Sequence, residues 1–148
     1  MDAYTTGSGL VIPVVTRGGQ EPDNTGQSGG ASRISGVSIQ HTPATRLWFG
    51  KVSNEPGFRS VPHHHGEAET GGYVLSGRAR IYFGAKFEDY IDMSEGDWVF
   101  VPPHLPHVEC NLDRNHPLTW MTTRTPDNIV VNLDDVPDAA LRDWLERP

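Results

Sequence analysis

Beyond Gly36 the chain divides into short segments of alternating apolar and polar residues, each closed within a few positions by Gly, Pro, Asn or Asp. A period of two is the mark of a strand with one buried face, and turn residues recurring this often leave no room for long helices. Arg46–Val52 is short and aromatic. Tyr73–Phe83 breaks at Ser76-Gly77, after which Arg78, Arg80 and Tyr82 alternate with Ala79, Ile81 and Phe83. Lys86–Met93, Asp97–Val101, Val108–Leu112, Leu118–Arg124 and Ile129–Leu133 complete the set, and Pro102-Pro103 stops the fourth of these seven segments. The 16 Gly and 12 Pro among 148 residues fit many short elements joined by turns. An all-β sandwich or small barrel is the expected architecture.

The length suits one domain, divided into an N-terminal arm (1–33), a β-barrel (34–133) and a short C-terminal helix (134–148). The arm is polar and Gly-rich; only Leu10–Thr16 could form a strand, and Pro13 would confine it to an edge. In the last segment Asp134 or Asp135 can cap a helix, Pro137 suits its first turn, and Ala140, Leu141, Trp144 and Leu145 share a face. A net charge of −7 argues against nucleic acid or an anionic membrane as partner. No apolar run approaches the ~20 residues of a membrane span, and the first residues do not read as a secretory signal. A single cysteine, Cys110, excludes an internal disulfide and fits a reducing cytoplasm.

Five of the seven histidines fall in two clusters. In Val61-Pro-His-His-His-Gly, residues two apart on an extended strand point the same way, so His63 and His65 can reach one ion while His64 faces elsewhere. In Pro102-Pro-His-Leu-Pro-His107 three prolines stiffen a turn and hold His107 in place before any ion arrives. Cys110 is out of step with His107 and should face away. Adding Glu69 gives a set of three imidazoles and one carboxylate, suited to Fe(II), Mn(II), Ni(II), Co(II) or Zn(II). The lack of thiolates speaks against a closed structural zinc site. Glu67, in parity with His63 and His65, is a weaker candidate. His104 could line the mouth of a pocket, whereas His41 and His116 read as loop residues.

The two clusters resemble the paired motifs of the cupin superfamily. Gly57, five residues, His63-His64-His65, three residues and Glu69 follow the first motif. Gly96, Pro102, His107 and Asn111 follow every spacing of the second, with His104 standing where Gly is usual. The resemblance spans residues 40–124 and implies a double-stranded β-helix, or jelly-roll, barrel. One spacing departs from the motif. Seven residues separate Glu69 from Gly77 instead of six, so strict counting puts Thr70 at the carboxylate position. A bulge at Gly71-Gly72 would restore Glu69; without it the site is three histidines and water.

A divalent transition metal with open positions, in a pocket that admits a small molecule, is the chemistry these residues support. The resemblance implies several activities, because a fold does not select its reaction. An Fe(II)-dependent, dioxygenase-type enzyme acting on a small organic substrate is the favoured expectation. A redox-neutral lyase or isomerase using Mn(II), Ni(II) or Zn(II), and a non-catalytic small-molecule binder, are the alternatives. Aromatic strands and the Pro-containing arm favour a homodimer.

Overall fold

The computed structural model of the protein describes residues 6–22 and 31–136. Within them ten strands form three antiparallel sheets. The largest has the order β1-β2-β9-β4-β7, from Ala31–Val37, Trp48–Asn54, Leu118–Thr125, Glu69–Ser76 and Trp98–Val101. A second has the order β6-β5-β8, from Asp89–Ser94, Arg78–Phe83 and Val108–Asn111. The third is a short pair, β10 (Val131–Asn132) on β3 (His63–His64). The expected all-β architecture is what the chain adopts.

The alternation seen in the sequence decides what each face meets. In the five-stranded sheet Arg33 and Ser35 of β1, Trp48 and Val52 of β2, Thr70 and Val74 of β4, and Trp120, Thr122 and Arg124 of β9 are all buried. Ala79 and Ile81 of β5 join Val52, Val74, Met93, Val101, Leu118 and Trp120 in one apolar cluster. Burying such side chains stabilises a domain by roughly 1.5–3 kcal/mol each, and this cluster holds the two larger sheets together. On its other face β5 places Tyr82 with Phe87, Val108 and Cys110 in a smaller cluster. Arg80 shares that face and donates from Nε and Nη2 to Asp92 at 2.6 and 2.9 Å.

Two glycines carry conformational demands. Gly77, between β4 and β5, has φ +97°, and an added Cβ would lie 2.9 Å from the Pro117 carbonyl. Gly50 gives up its side-chain volume to the Trp48 ring, which would stand 2.5 Å from a Cβ there.

Three expectations need correction or fall elsewhere. The Leu10–Thr16 segment forms no strand, only a single bridge residue at Val11, with Leu10 and Val11 exposed. No bulge occurs at Gly71-Gly72: β4 pairs in regular register from Glu69 to Val74, and the irregularity lies between Val74 and Ser76. The C-terminal helix falls almost wholly on residues 137–148, outside the described residues; Asp134 and Asp135 form a turn. No helix among the described residues is long and apolar enough to cross a membrane.

Candidate metal centre

The two histidine clusters meet through the backbone. His63 N–H donates to the His107 carbonyl at 3.1 Å and His107 N–H returns the bond at 2.9 Å. The segment after β9 braces the same strand from its other side, with Val131 opposite His64, Asn132 opposite His63 and Leu133 N–H on the Pro62 carbonyl. The turn that carries His107 is tied back by His104 N–H donating to Gly66 O at 2.7 Å. His104 has φ +60°, a left-handed conformation that glycine adopts most cheaply. That conformation accounts for the Gly usual at this position.

These bonds bring His63, His65 and His107 together, with ring centroids 4.4–5.1 Å apart. All three are buried. Each ring is oriented the same way, because its Nδ1–H donates to a backbone carbonyl. The acceptors are Val61 for His63 (2.8 Å), Ile129 for His65 (2.7 Å) and Leu105 for His107 (2.8 Å). In the neutral imidazole the other nitrogen then carries a lone pair. Three Nε2 lone pairs therefore converge.

The fourth member of the group is Glu109, not Glu69. Its Oε1 lies 3.4 Å from His107 Nε2 and 3.7 Å from His63 Nε2. One ligand atom from each of His63, His65, His107 and Glu109 falls within 4.8 Å of all the others. Burial alone would raise the Glu109 carboxyl, but His107 and His63 outweigh it and hold the group well below the usual carboxylate range. A carboxylate oxygen facing imidazole lone pairs is stable only with a cation between them, whether proton or metal ion. The donor set fits a divalent metal.

Glu69 is exposed at the start of β4, while Thr70 beside it points inward. Regular pairing through Gly71 and Gly72 leaves Thr70 in the inward parity, so the carboxylate position of the first motif is filled by a hydroxyl. Glu67 is exposed too. His64 lies outside the group and its Nδ1 accepts from Gly66 N–H at 2.9 Å. His104 is exposed, its ring 6.0 Å from that of His64. Cys110 faces away from the site as expected, and burial pushes its thiol up to about 12.

Two buried arginines were not foreseen. Arg124 Nε donates to Thr70 Oγ1 at 3.1 Å, Nη1 to Asn128 Oδ1 at 2.8 Å, and Nη2 lies 3.2 Å from His65 Nε2, whose lone pair accepts from it. Arg33 Nη1 reaches the same Asn128 oxygen at 3.4 Å. Both guanidinium carbons lie within 6 Å of the Trp48 ring centre, at 5.8 and 5.6 Å. Burial first, then Arg33, pushes Arg124 down to about 9, and burial lowers Arg33. Burial, followed by the charge of Arg124, brings His65 down to about 2 and keeps that ring neutral. Arg33, Arg124 and Glu109 line a small cavity of about 20 Å³ together with Thr70, Thr122 and Trp120.

The parity argument that turns Cys110 away from His107 also turns Glu109 toward it, so this ligand was within reach of the sequence. Arg124 continues the inward series Leu118, Trp120, Thr122. Arg33 stands beside a Gly-rich stretch and gave no such signal.

A double-stranded β-helix carrying histidines from two turns defines a recognisable class of protein. The profile described as Cupin domain matches residues 50–123, and the chain belongs to that family. Among solved structures it is similar to an uncharacterized conserved protein with a double-stranded beta-helix domain from Klebsiella pneumoniae (17% identity, TM-score 0.60, 76% of this chain and 91% of that one). It is also similar to an RmlC-like cupin from Shewanella frigidimarina (20%, TM-score 0.62, 78% and 92%). An oxalate decarboxylase from Bacillus subtilis, with Mn(II) centres, matches at 20% identity and TM-score 0.65 over 86% of this chain. The matched region is 35% of that longer chain. At these identities the likeness establishes the fold. No curated protein sequence matches the chain.

Proposed function

We propose that this cupin is a metal-dependent enzyme acting on a small organic molecule, with His63, His65, His107 and Glu109 holding the ion. The observation that carries this reading is the convergence of three Nε2 lone pairs, each fixed by an Nδ1–H bond to a carbonyl, on one carboxylate. Fe(II) is the ion we favour, with dioxygenase-type chemistry. An ion bound by these groups would supply Lewis acidity and open positions for substrate or dioxygen. The chain's residues orient the three Nε2 atoms through their Nδ1–H bonds, keep the His65 ring neutral by burial, and place Thr70, Thr122 and the arginines around the adjoining cavity. A redox-neutral, Mn(II)-dependent lyase or isomerase reaction is the second reading, supported by the Mn(II) centres of the Bacillus subtilis neighbour.

Elemental analysis of protein as purified, followed by anaerobic reconstitution with Fe(II) or Mn(II), separates these readings. Oxygen uptake with Fe(II) across a panel of small carboxylates, diketones and aromatic acids is the expected result. Turnover with Mn(II) and none with Fe(II) would favour the second, and failure to bind any divalent ion overturns both.

We infer a cytoplasmic homodimer as the working form. Trp98 and Phe100 are 79% and 62% exposed, and Phe49 is 40% exposed on the same outer face of the five-stranded sheet. A monomer seldom leaves so continuous an apolar patch in water.

A further inference from the structure

Of the three imidazoles at the metal centre, one has its lone pair already taken. His63 and His107 turn Nε2 toward Glu109 Oε1, at 3.7 and 3.4 Å. His65 Nε2 instead accepts from Nη2 of Arg124 at 3.2 Å. The direction of that bond is fixed. His65 Nδ1–H is committed to the Ile129 carbonyl at 2.7 Å, so the neutral ring has no second proton to offer, and a guanidinium can only donate.

A lone pair serves one partner at a time. An ion held by His63, His107 and Glu109 gains His65 as a ligand only if Arg124 gives that nitrogen up. Arg124 itself is anchored elsewhere. Its Nε donates to Thr70 Oγ1 at 3.1 Å and its Nη1 to Asn128 Oδ1 at 2.8 Å, while the guanidinium carbon lies 5.6 Å from the centre of the Trp48 ring. Two arms thus fix the guanidinium in place, and the third, at Nη2, is the one that can be exchanged. Arg124 also lines the adjoining cavity of about 20 Å³, which has room for about one water to accept from Nη2 once His65 is given up.

We propose that Arg124 is a resident competitor for the ion: it occupies His65 Nε2 in the ion-free chain, surrenders it on loading, and so sets how tightly the site holds a metal. This rests on the metal reading above. Two effects act in the same direction. The bond to be broken has a charged donor, and such bonds are worth about tenfold or more in an equilibrium constant. The anchored guanidinium also stays beside the site as a fixed positive charge. The first effect acts through His65 alone and the second does not, so a double-mutant cycle separates them.

The full chain is titrated with Co(II), whose visible spectrum reports its ligands, as the parent, Arg124→Met, His65→Ala and the double variant. Arg124→Met should lower the Co(II) Kd at least tenfold, the opposite of what general damage to the site produces. In the His65→Ala background the same change should lower it less than threefold. The inference is overturned if Arg124→Met leaves the Co(II) Kd unchanged or raises it, or if the tightening is equal in both backgrounds. A second measurement needs no variant. In NMR of the nitrogen-labelled parent, recorded cold enough to slow guanidinium rotation, a scalar coupling across the hydrogen bond should join Arg124 Nη2 to His65 Nε2 and vanish with one equivalent of Zn(II). A coupling that survives Zn(II) saturation, or is missing from the ion-free chain, overturns the inference. This measurement decides alone where Arg124→Met does not fold or His65→Ala binds too weakly to titrate. Absence of Co(II) binding by the parent and Arg124→Met alike overturns the metal reading and this one with it; Co(II) binding that is indifferent to Arg124 overturns this one only.

Discussion

At the level of single residues, Glu109 and Glu69 make opposite predictions. Glu109→Gln removes the negative charge that faces three lone pairs and should weaken Co(II) or Mn(II) binding at least tenfold by equilibrium dialysis. Glu69→Gln, on an exposed position, should change it less than twofold. Equal losses in both would show that the exposed carboxylate reaches the ion. The histidines were legible in the sequence because spacing on a strand fixes parity, and parity needs no tertiary information. The carboxylate was misplaced for a definite reason: the Gly71-Gly72 pair invited a bulge, and a bulge was needed to turn Glu69 inward. Gly72 is instead held in register opposite Val99, whose Cγ1 would lie 2.9 Å from an added Cβ. Glycine there makes room for packing, and Thr70 inherits the inward position.

Strands make their own predictions. In β2, Gly50→Ala would press a methyl into the Trp48 ring and the backbone of β1. Overpacking of this kind costs about 1–3 kcal/mol, to be read as a lowered urea midpoint with an unchanged slope. Gly36→Ala, whose nearest neighbour is the Phe49 carbonyl at 3.5 Å, should be tolerated. In β5 and β6, the hydrogen bonds from Arg80 hold the Asp92 carboxyl below its ordinary value. The ion pair therefore stabilises the fold above the unfolded carboxyl value of about 4, and this contribution is lost as pH falls through the lower native value. Asp92 is nearly half exposed, so the effect should be under about 1 kcal/mol. Asp92→Asn should flatten the acid side of a stability-against-pH curve measured by urea unfolding, and an unchanged curve would deny the pair any role. The later strands could be read from alternation bounded by Gly and Pro. β1 could not, because Ala31–Val37 abuts a Gly/Ser tract and its inward members are Ala31, Arg33 and Ser35, which together carry little apolar signal. β3 is two residues long and is held by β10 on one side and the His63–His107 bridge on the other, both contacts between distant parts of the chain.

For the whole molecule, the outer face of the five-stranded sheet predicts association. Trp98→Glu should convert a dimer to a monomer in light scattering, with the melting temperature lowered and Co(II) affinity retained; a dimer that survives this change would place the interface elsewhere. The barrel itself was foreseeable because it follows from many short amphipathic strands and one apolar cluster. The two arginines inside it were not. Which two of ten arginines the five-stranded sheet turns inward is decided only when β1 closes against β2 and β2 against β9. Cys110 carries a practical corollary. Packed against Tyr82, Phe87 and Val108 and held as a neutral thiol, the sole native cysteine should resist maleimides and air oxidation. A cysteine introduced on the rim would then be the single attachment point for a spin label or fluorophore, and distances across the assembled protein could be measured with Cys110 left in place.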